Sequence, residues 1–137
     1  MNDPCVAIAD SSWLISLFIA TDSNYKSALR IRNEFEEHSG TLHIPSEVFS
    51  ETINILGKKF GHTSSSIVAN KILALDDFII TESNHEIRMN AVDKFKKQPT
   101  SVSFTDCLVM AFADHLETKE IFGFDRSFSQ NGYQLLK

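Results

Sequence analysis

The chain has 137 residues, 42% of them hydrophobic and 23% charged, with a formal net charge of −5. That suits one globular domain (1–137) with one sizeable core and excludes wholesale disorder. Apolar stretches such as residues 13–20 are broken by polar side chains, short of the ~20 residues a bilayer span needs, and Asp3 replaces the basic start of a secretion signal, so a cytoplasmic location is expected.

In chain order, Val6-Ala7-Ile8-Ala9 is a short apolar run of strand length, ended by Asp10-Ser11-Ser12, which can cap an apolar helix beginning near Trp13. Residues 24–37 form an amphipathic helix with Ala28, Leu29, Ile31, Arg32 and Phe35 at helical spacing, stopped by Ser39-Gly40. A strand over 41–44 leads through Pro45-Ser46 into a helix to about Lys59. After a break at Gly61-His62-Thr63-Ser64 the chain is helical over 64–75, and Phe78-Ile79-Ile80-Thr81 reads as a strand. Residues 84–97 are helical, stopped before Pro99. The most apolar helix spans 103–116, followed by a strand at 121–124 and a final short strand at 133–136. Strands alternating with long helices predict an α/β fold, a mainly parallel sheet covered on both faces. The helices after the first three strands outnumber what simple crossovers need.

Cys5 and Cys107 lie far apart, with no CxxC spacing and no Cys/His cluster, which argues against zinc and against a disulfide scaffold. Both read as small buried residues. Acids outnumber bases 18 to 13, whereas nucleic-acid binders usually carry a basic excess. A nucleic-acid function therefore requires several carboxylates to be committed to cations, which reverses the local field.

Four acids meet that requirement by topology. In a parallel sheet the strands end at one rim, where the connecting helices begin. Asp10 follows the first strand, Asp125 follows Phe122-Gly123-Phe124, Asp106 lies in the first turn of the helix before it, and Glu51 sits about one turn into the helix after the second strand. Each also has a purely structural reading. Asp10 can cap a helix, Asp106 completes the near capping box Ser103-Phe104-Thr105-Asp106, Asp125 can open a turn before Phe128, and Glu51 can face water beside Glu47, Asn54 and Lys58. Together they say more. Residues 107–113 carry no charge, so Asp106 edges a buried helix, and like charges in a shared site resist ionisation. A divalent cation with oxygen ligands, Mg²⁺ or Mn²⁺, removes that penalty, and neutralising Asp106 is expected to relieve repulsion when no metal is bound.

The blocks Val6-Ala7-Ile8-Ala9-Asp10-Ser11-Ser12, Ile44-Pro45-Ser46-Glu47-Val48-Phe49-Ser50-Glu51, Ser103-Phe104-Thr105-Asp106-Cys107-Leu108-Val109-Met110-Ala111 and Ile121-Phe122-Gly123-Phe124-Asp125-Arg126-Ser127-Phe128 together resemble, in order and spacing, the PIN-domain family, and within it the VapC-like toxins of type II toxin–antitoxin systems. The resemblance implies a three-layer α/β/α sandwich and a Mg²⁺- or Mn²⁺-dependent endoribonuclease acting on RNA, frequently a homodimer and often blocked by an antitoxin protein. It also implies that Asp10, Glu51 and Asp106 are the core catalytic and metal-holding acids, with Asp125 a more variable fourth. Ser11, Ser12 and Thr105 match polar positions that support the acids. Glu47 competes with Glu51, and the motif spacing favours Glu51. Two other readings stand beside this one: a PIN-like interaction module without activity, and a phosphoryl-accepting receiver domain, which would need an acceptor Asp where the chain has Ile80-Thr81-Glu82. Lys58, Lys59, His62, Lys94, Lys96 and Lys97 are candidate RNA contacts or simply solvated helix ends, and His43 reads as packed in its strand.

Overall fold

A computed structural model describes residues 5–135. The described residues run β1 (Val6–Ala9), α1 (Ser11–Phe18), α2 (Tyr25–Glu37), β2 (Thr41–Pro45), α3 (Ser46–Phe60), α4 (His62–Ala74), β3 (Phe78–Thr81), α5 (His85–Lys96), α6 (Phe104–His115), β4 (Ile121–Phe122) and α7 (Arg126–Gln130). The strands form one parallel sheet in the order β3-β2-β1-β4. The chain winds outward from β1 to β3 and then crosses back to β4. Because parallel crossovers are right-handed, this reversal puts α1–α4 on one face and α5 and α6 on the other. The predicted α/β sandwich is what the chain forms.

Register explains how the faces pack. Ile8 lies opposite His43 and Ile121, and Ala9 opposite Phe122, so Ala7, Ala9, Leu42, Ile44, Phe78 and Phe122 share one face. The small side chains of Ala7 and Ala9 leave room there for the Trp13 indole, whose ring lies 6.3 Å from Phe78 and 5.0 Å from Phe122. On the other face Ile8 and Ile121 are covered, while Ile79 on edge strand β3 is 42% exposed. The helix α6 packs on β1 and β4, and the α5 helix packs mainly on α6, so that layer protects the middle of the sheet better than its β3 edge. The charge-free stretch 107–113 is buried throughout, as its composition requires.

Three predicted elements differ. The strand expected at 121–124 is only Ile121–Phe122, because the Phe124 amide leaves the ladder and donates to Ser12 Oγ at 3.0 Å. The turn expected before Phe128 is a short helix, α7, capped by Asp125. The strand expected at 133–136 is reduced among the described residues to a parallel bridge between Glu120 and Gln134, and Leu136 lies outside them. Gly132, at φ 90°, turns the chain sharply just before that bridge. The surplus helices also find an account: α3 and α4 pack on each other as a hairpin. None of the described helices is long and apolar enough to cross a membrane.

Candidate functional site

The chain reverses its winding direction between β1 and β4, and in open α/β sheets ligands bind at the strand ends beside such a switch. Asp10 leaves β1 there and Asp125 follows β4, while α6 and α3 bring Asp106 and Glu51. Asp10 is held to β4 by its own amide, which donates to the Phe122 carbonyl at 2.9 Å, and it is only 5% exposed. Gly123 makes that contact possible: a Cβ there would stand 2.8 Å from Asp10 Cβ and 2.8 Å from the Phe128 ring. A glycine at the end of a strand is the sequence signal of such a close approach.

Burial pushes the Asp10 carboxyl up to about 6, and the charges of Asp106 and Glu51 push the same way. Hydrogen bonds from Ser12, Oγ at 2.8 Å and backbone N at 3.3 Å, pull it down without compensating. Three of the four acids therefore share one electrostatic field. Asp125 is exposed, and the charges acting most strongly on Asp10 are those of Asp106 and Glu51.

The structural readings of Asp10 and Asp106 turn out to be real as well, and that of Asp125 changes from a turn to a helix cap. Asp10 caps α1, Asp125 caps α7 by accepting from Ser127 N at 2.8 Å, and Asp106 forms a full capping box with Ser103, at 3.0 and 3.1 Å. Each spends one carboxylate oxygen on a helix start and leaves the other without a partner among the described residues. Capping and ligation thus use different oxygens of one group, and the caps hold the open oxygens in fixed orientations. Glu47 is tied elsewhere: it accepts from Ser83 Oγ at 2.9 Å and Ser46 Oγ at 3.3 Å. Glu51 has no hydrogen-bond partner among the described residues and its charge acts on Asp10, so the two glutamates occupy different surroundings.

Does this donor set suit a cation? Its chemistry does. The donors are carboxylates only, the innermost is buried, and among the described residues no Lys, Arg or His forms an ion pair with Asp10, Glu51, Asp106 or Asp125. A buried carboxylate among like charges without a basic partner suits a hard divalent ion. The side chains do not converge into a ready coordination sphere, since no three His, Cys, Asp or Glu among the described residues stand close enough. Mutual repulsion and the capping-box bond on Asp106 both favour that separation.

The remaining candidates are scattered. Lys94 is drawn inward, bonding Asp114 at 2.8 Å and lying 5.7 Å from the Tyr133 ring centre, so it belongs to an internal network. Lys58, Lys59, His62, Lys96 and Lys97 are exposed. His43 is packed in place with Nδ1 2.9 Å from Thr81 Oγ1, and burial lowers its pKa. Cys107 is buried, and Cys5, just ahead of β1, is half-buried; both are free thiols.

Among solved structures the fold is similar to VapC20 of Mycobacterium tuberculosis, described as a sarcin–ricin loop cleaving toxin, with a TM-score of 0.81 and 18% identity over 95% of this chain and 98% of that one. A toxin–antitoxin complex from Klebsiella pneumoniae aligns with a TM-score of 0.66 and 18% identity, over 96% of both chains. VapBC2 of Rickettsia felis, bound to a DNA fragment from its promoter, aligns at 0.69 and 12% identity over 96% of this chain and 97% of that one. At these identities the likeness is one of fold. No curated protein shows significant sequence similarity. The PIN domain family, by contrast, matches residues 7–132, a span that includes all four acids and nearly every element described above: the chain belongs to the PIN domain family.

Proposed function

We propose that this chain is a divalent-metal-dependent endoribonuclease that hydrolyses phosphodiester bonds in RNA, the toxin of a type II toxin–antitoxin pair. The observation that carries the reading is the Asp10 carboxyl, buried, raised to about 6 under the charges of Asp106 and Glu51, and without a basic partner among the described residues, within a family whose nucleases generally use divalent ions. Asp10 and Asp106 would hold the ion, Glu51 would ligate it or orient a water, and Asp125 would serve a second position. When bound, Mg²⁺ or Mn²⁺ supplies an activated water nucleophile and neutralises charge on the phosphoryl oxygens. The chain's own contribution is orientation: the helix starts at α1, α6 and α7 fix the three aspartates.

The test is cleavage of single-stranded RNA by the purified chain, with Mg²⁺ or Mn²⁺ and with chelator. Cleavage should require the ion and fall by at least about 10³-fold in Asp106→Asn, on the scale of losing a main electrostatic stabiliser. Ion binding without turnover would instead favour an interaction module. The receiver-domain alternative has no supporting observation. Glu82, the acid after β3, accepts from Ser46 Oγ at 2.8 Å, and no Asp stands at that strand end.

Two protein partners belong to the reading. The Klebsiella and Rickettsia structures are toxin–antitoxin assemblies. This chain offers an apolar groove of about 320 Å³ between the end of α1 and the α3–α4 hairpin, lined by Phe18, Ile19, Leu56, Phe60, Ile67 and Val68, suited to an apolar antitoxin segment. The second partner is another copy of the chain. Met89, Val92 and Phe95 are 57%, 42% and 46% exposed on α5, and Phe104 packs edge-on against Phe95 at 5.7 Å. Met89→Asp should therefore convert a dimer to a monomer in sedimentation velocity; an unchanged dimer would place the interface elsewhere.

A further inference from the structure

We propose that Ser12 is a positioning residue that holds the Asp10 carboxylate and the loop carrying Asp125 in one fixed relation, so that both acids serve the same metal centre. The inference rests on the metal-nuclease reading above. Its basis is a chain of two hydrogen bonds: the Phe124 amide donates to Ser12 Oγ at 3.0 Å, and the Ser12 hydroxyl donates to Asp10 Oδ2 at 2.8 Å. The hydroxyl gives its one proton to Asp10 and accepts the Phe124 N–H, so it is used in both directions. Phe124 lies 112 residues from Ser12 in sequence and is where the β4 ladder has just stopped.

Capping alone does not need this side chain. Asp10 also accepts from the Ser12 backbone N, at 3.3 Å, and any residue at position 12 supplies that bond. What the hydroxyl adds is the link between β1 and β4 at the switch point. Gly123 lets the link close, because a Cβ there would stand 2.8 Å from Asp10 Cβ. Without the hydroxyl, Asp10 Oδ2 loses its shortest bond and the Phe124 amide loses its acceptor, which frees the Phe124–Asp125 segment. Hydrogen bonds that orient metal ligands commonly alter metal affinity by about 10–100-fold.

The experiment compares the full chain with Ser12→Ala and Ser12→Thr, the latter retaining the hydroxyl. Hydrogen exchange of the Phe124 amide is read in chelator, and Mn²⁺ affinity is read by titration. In Ser12→Ala the amide should exchange at least about tenfold faster and Mn²⁺ should bind about tenfold or more weakly, with both values restored in Ser12→Thr. Faster exchange with unchanged Mn²⁺ affinity would reduce Ser12 to a structural tie and overturn the proposal. Exchange unchanged in Ser12→Ala would remove the tie itself. Failure of the parent chain to bind Mn²⁺ would overturn the metal reading, and with it the positioning role, while the exchange result in chelator would still report separately on the tie.

Discussion

Asp10→Asn is expected to abolish cleavage and, in chelator at pH 7, to make the protein more stable by about 3 kcal/mol. The sign follows from the raised carboxyl, at about 6 in the folded chain against 3.8 unperturbed. Between those values the unfolded chain has lost its proton while the folded chain keeps it, so the folded state binds more protons and stability falls as pH rises. Below about pH 4 the penalty is absent, and above about pH 6 it is complete. At 1.36 kcal/mol per unit, a shift of roughly two units gives about 3 kcal/mol, or on the order of 10 °C in melting temperature for a domain this size.

Asparagine is as good an N-cap as aspartate, so α1 keeps its start while the buried charge disappears. Thermal melts of parent and variant with chelator at pH 4 and pH 7 check this. The two should coincide at pH 4 and separate at pH 7, and coincidence at pH 7 would contradict the buried, repelled carboxylate. Millimolar Mg²⁺ should then raise the parent's melting temperature and leave Asp10→Asn unmoved, since a ligand stabilises only the state that binds it. Neutralising Asp106 is expected to give a smaller gain than Asp10→Asn. Asp106 is half-buried, and its carboxylate accepts the Ser103 amide in the capping box, so its removal costs a cap as it relieves repulsion.

Phe122→Ala should strongly destabilise the scaffold beneath the site, by about 3–5 kcal/mol as for other buried aromatic truncations. Phe122 is fully buried, with ring centres 5.0 Å from Trp13 and 4.9 Å from Phe35. It supplies half of a two-residue strand, and its carbonyl receives the Asp10 amide. Since domains are typically stable by only about 5–15 kcal/mol, urea denaturation should show the midpoint falling by a large fraction with little change in slope. A loss under 1 kcal/mol would mean that the aromatic cluster is not the foundation of the rim. The two substitutions thus move stability in opposite directions although their residues are joined by one hydrogen bond, because one removes a buried charge and the other removes packing.

Local pattern made most of the architecture legible. Helical spacing in Ala28, Ile31 and Phe35, the β-branched run at 78–81 and the uncharged stretch 107–113 each state their burial in one dimension. Where those readings failed, a contact distant in sequence had intervened. Ser12 captures the Phe124 amide and ends β4 early, and Asp125 caps a helix in place of opening a turn. Helical position alone let either Glu47 or Glu51 reach the rim, and only the spacing of the family motif favoured Glu51. Both sit on one helix, one turn apart, and only the folded chain ties Glu47 to Ser83 and leaves Glu51 as the glutamate whose charge acts on Asp10.

For the four acids, the sequence by itself determined that Asp10, Glu51, Asp106 and Asp125 belong to one rim, because strand ends and helix starts in a parallel α/β fold share a side. It also determined that Asp10 and Asp106 can cap helices, a short-range property. Only the tertiary structure decided that Asp10 is the buried member, raised by burial and by two charges from other elements, that Asp125 stays exposed, and that Gly123 and Ser12 join the first and last strands at the site. Burial and like-charge repulsion depend on distances in space, and those exist only once β1 and β4 lie side by side.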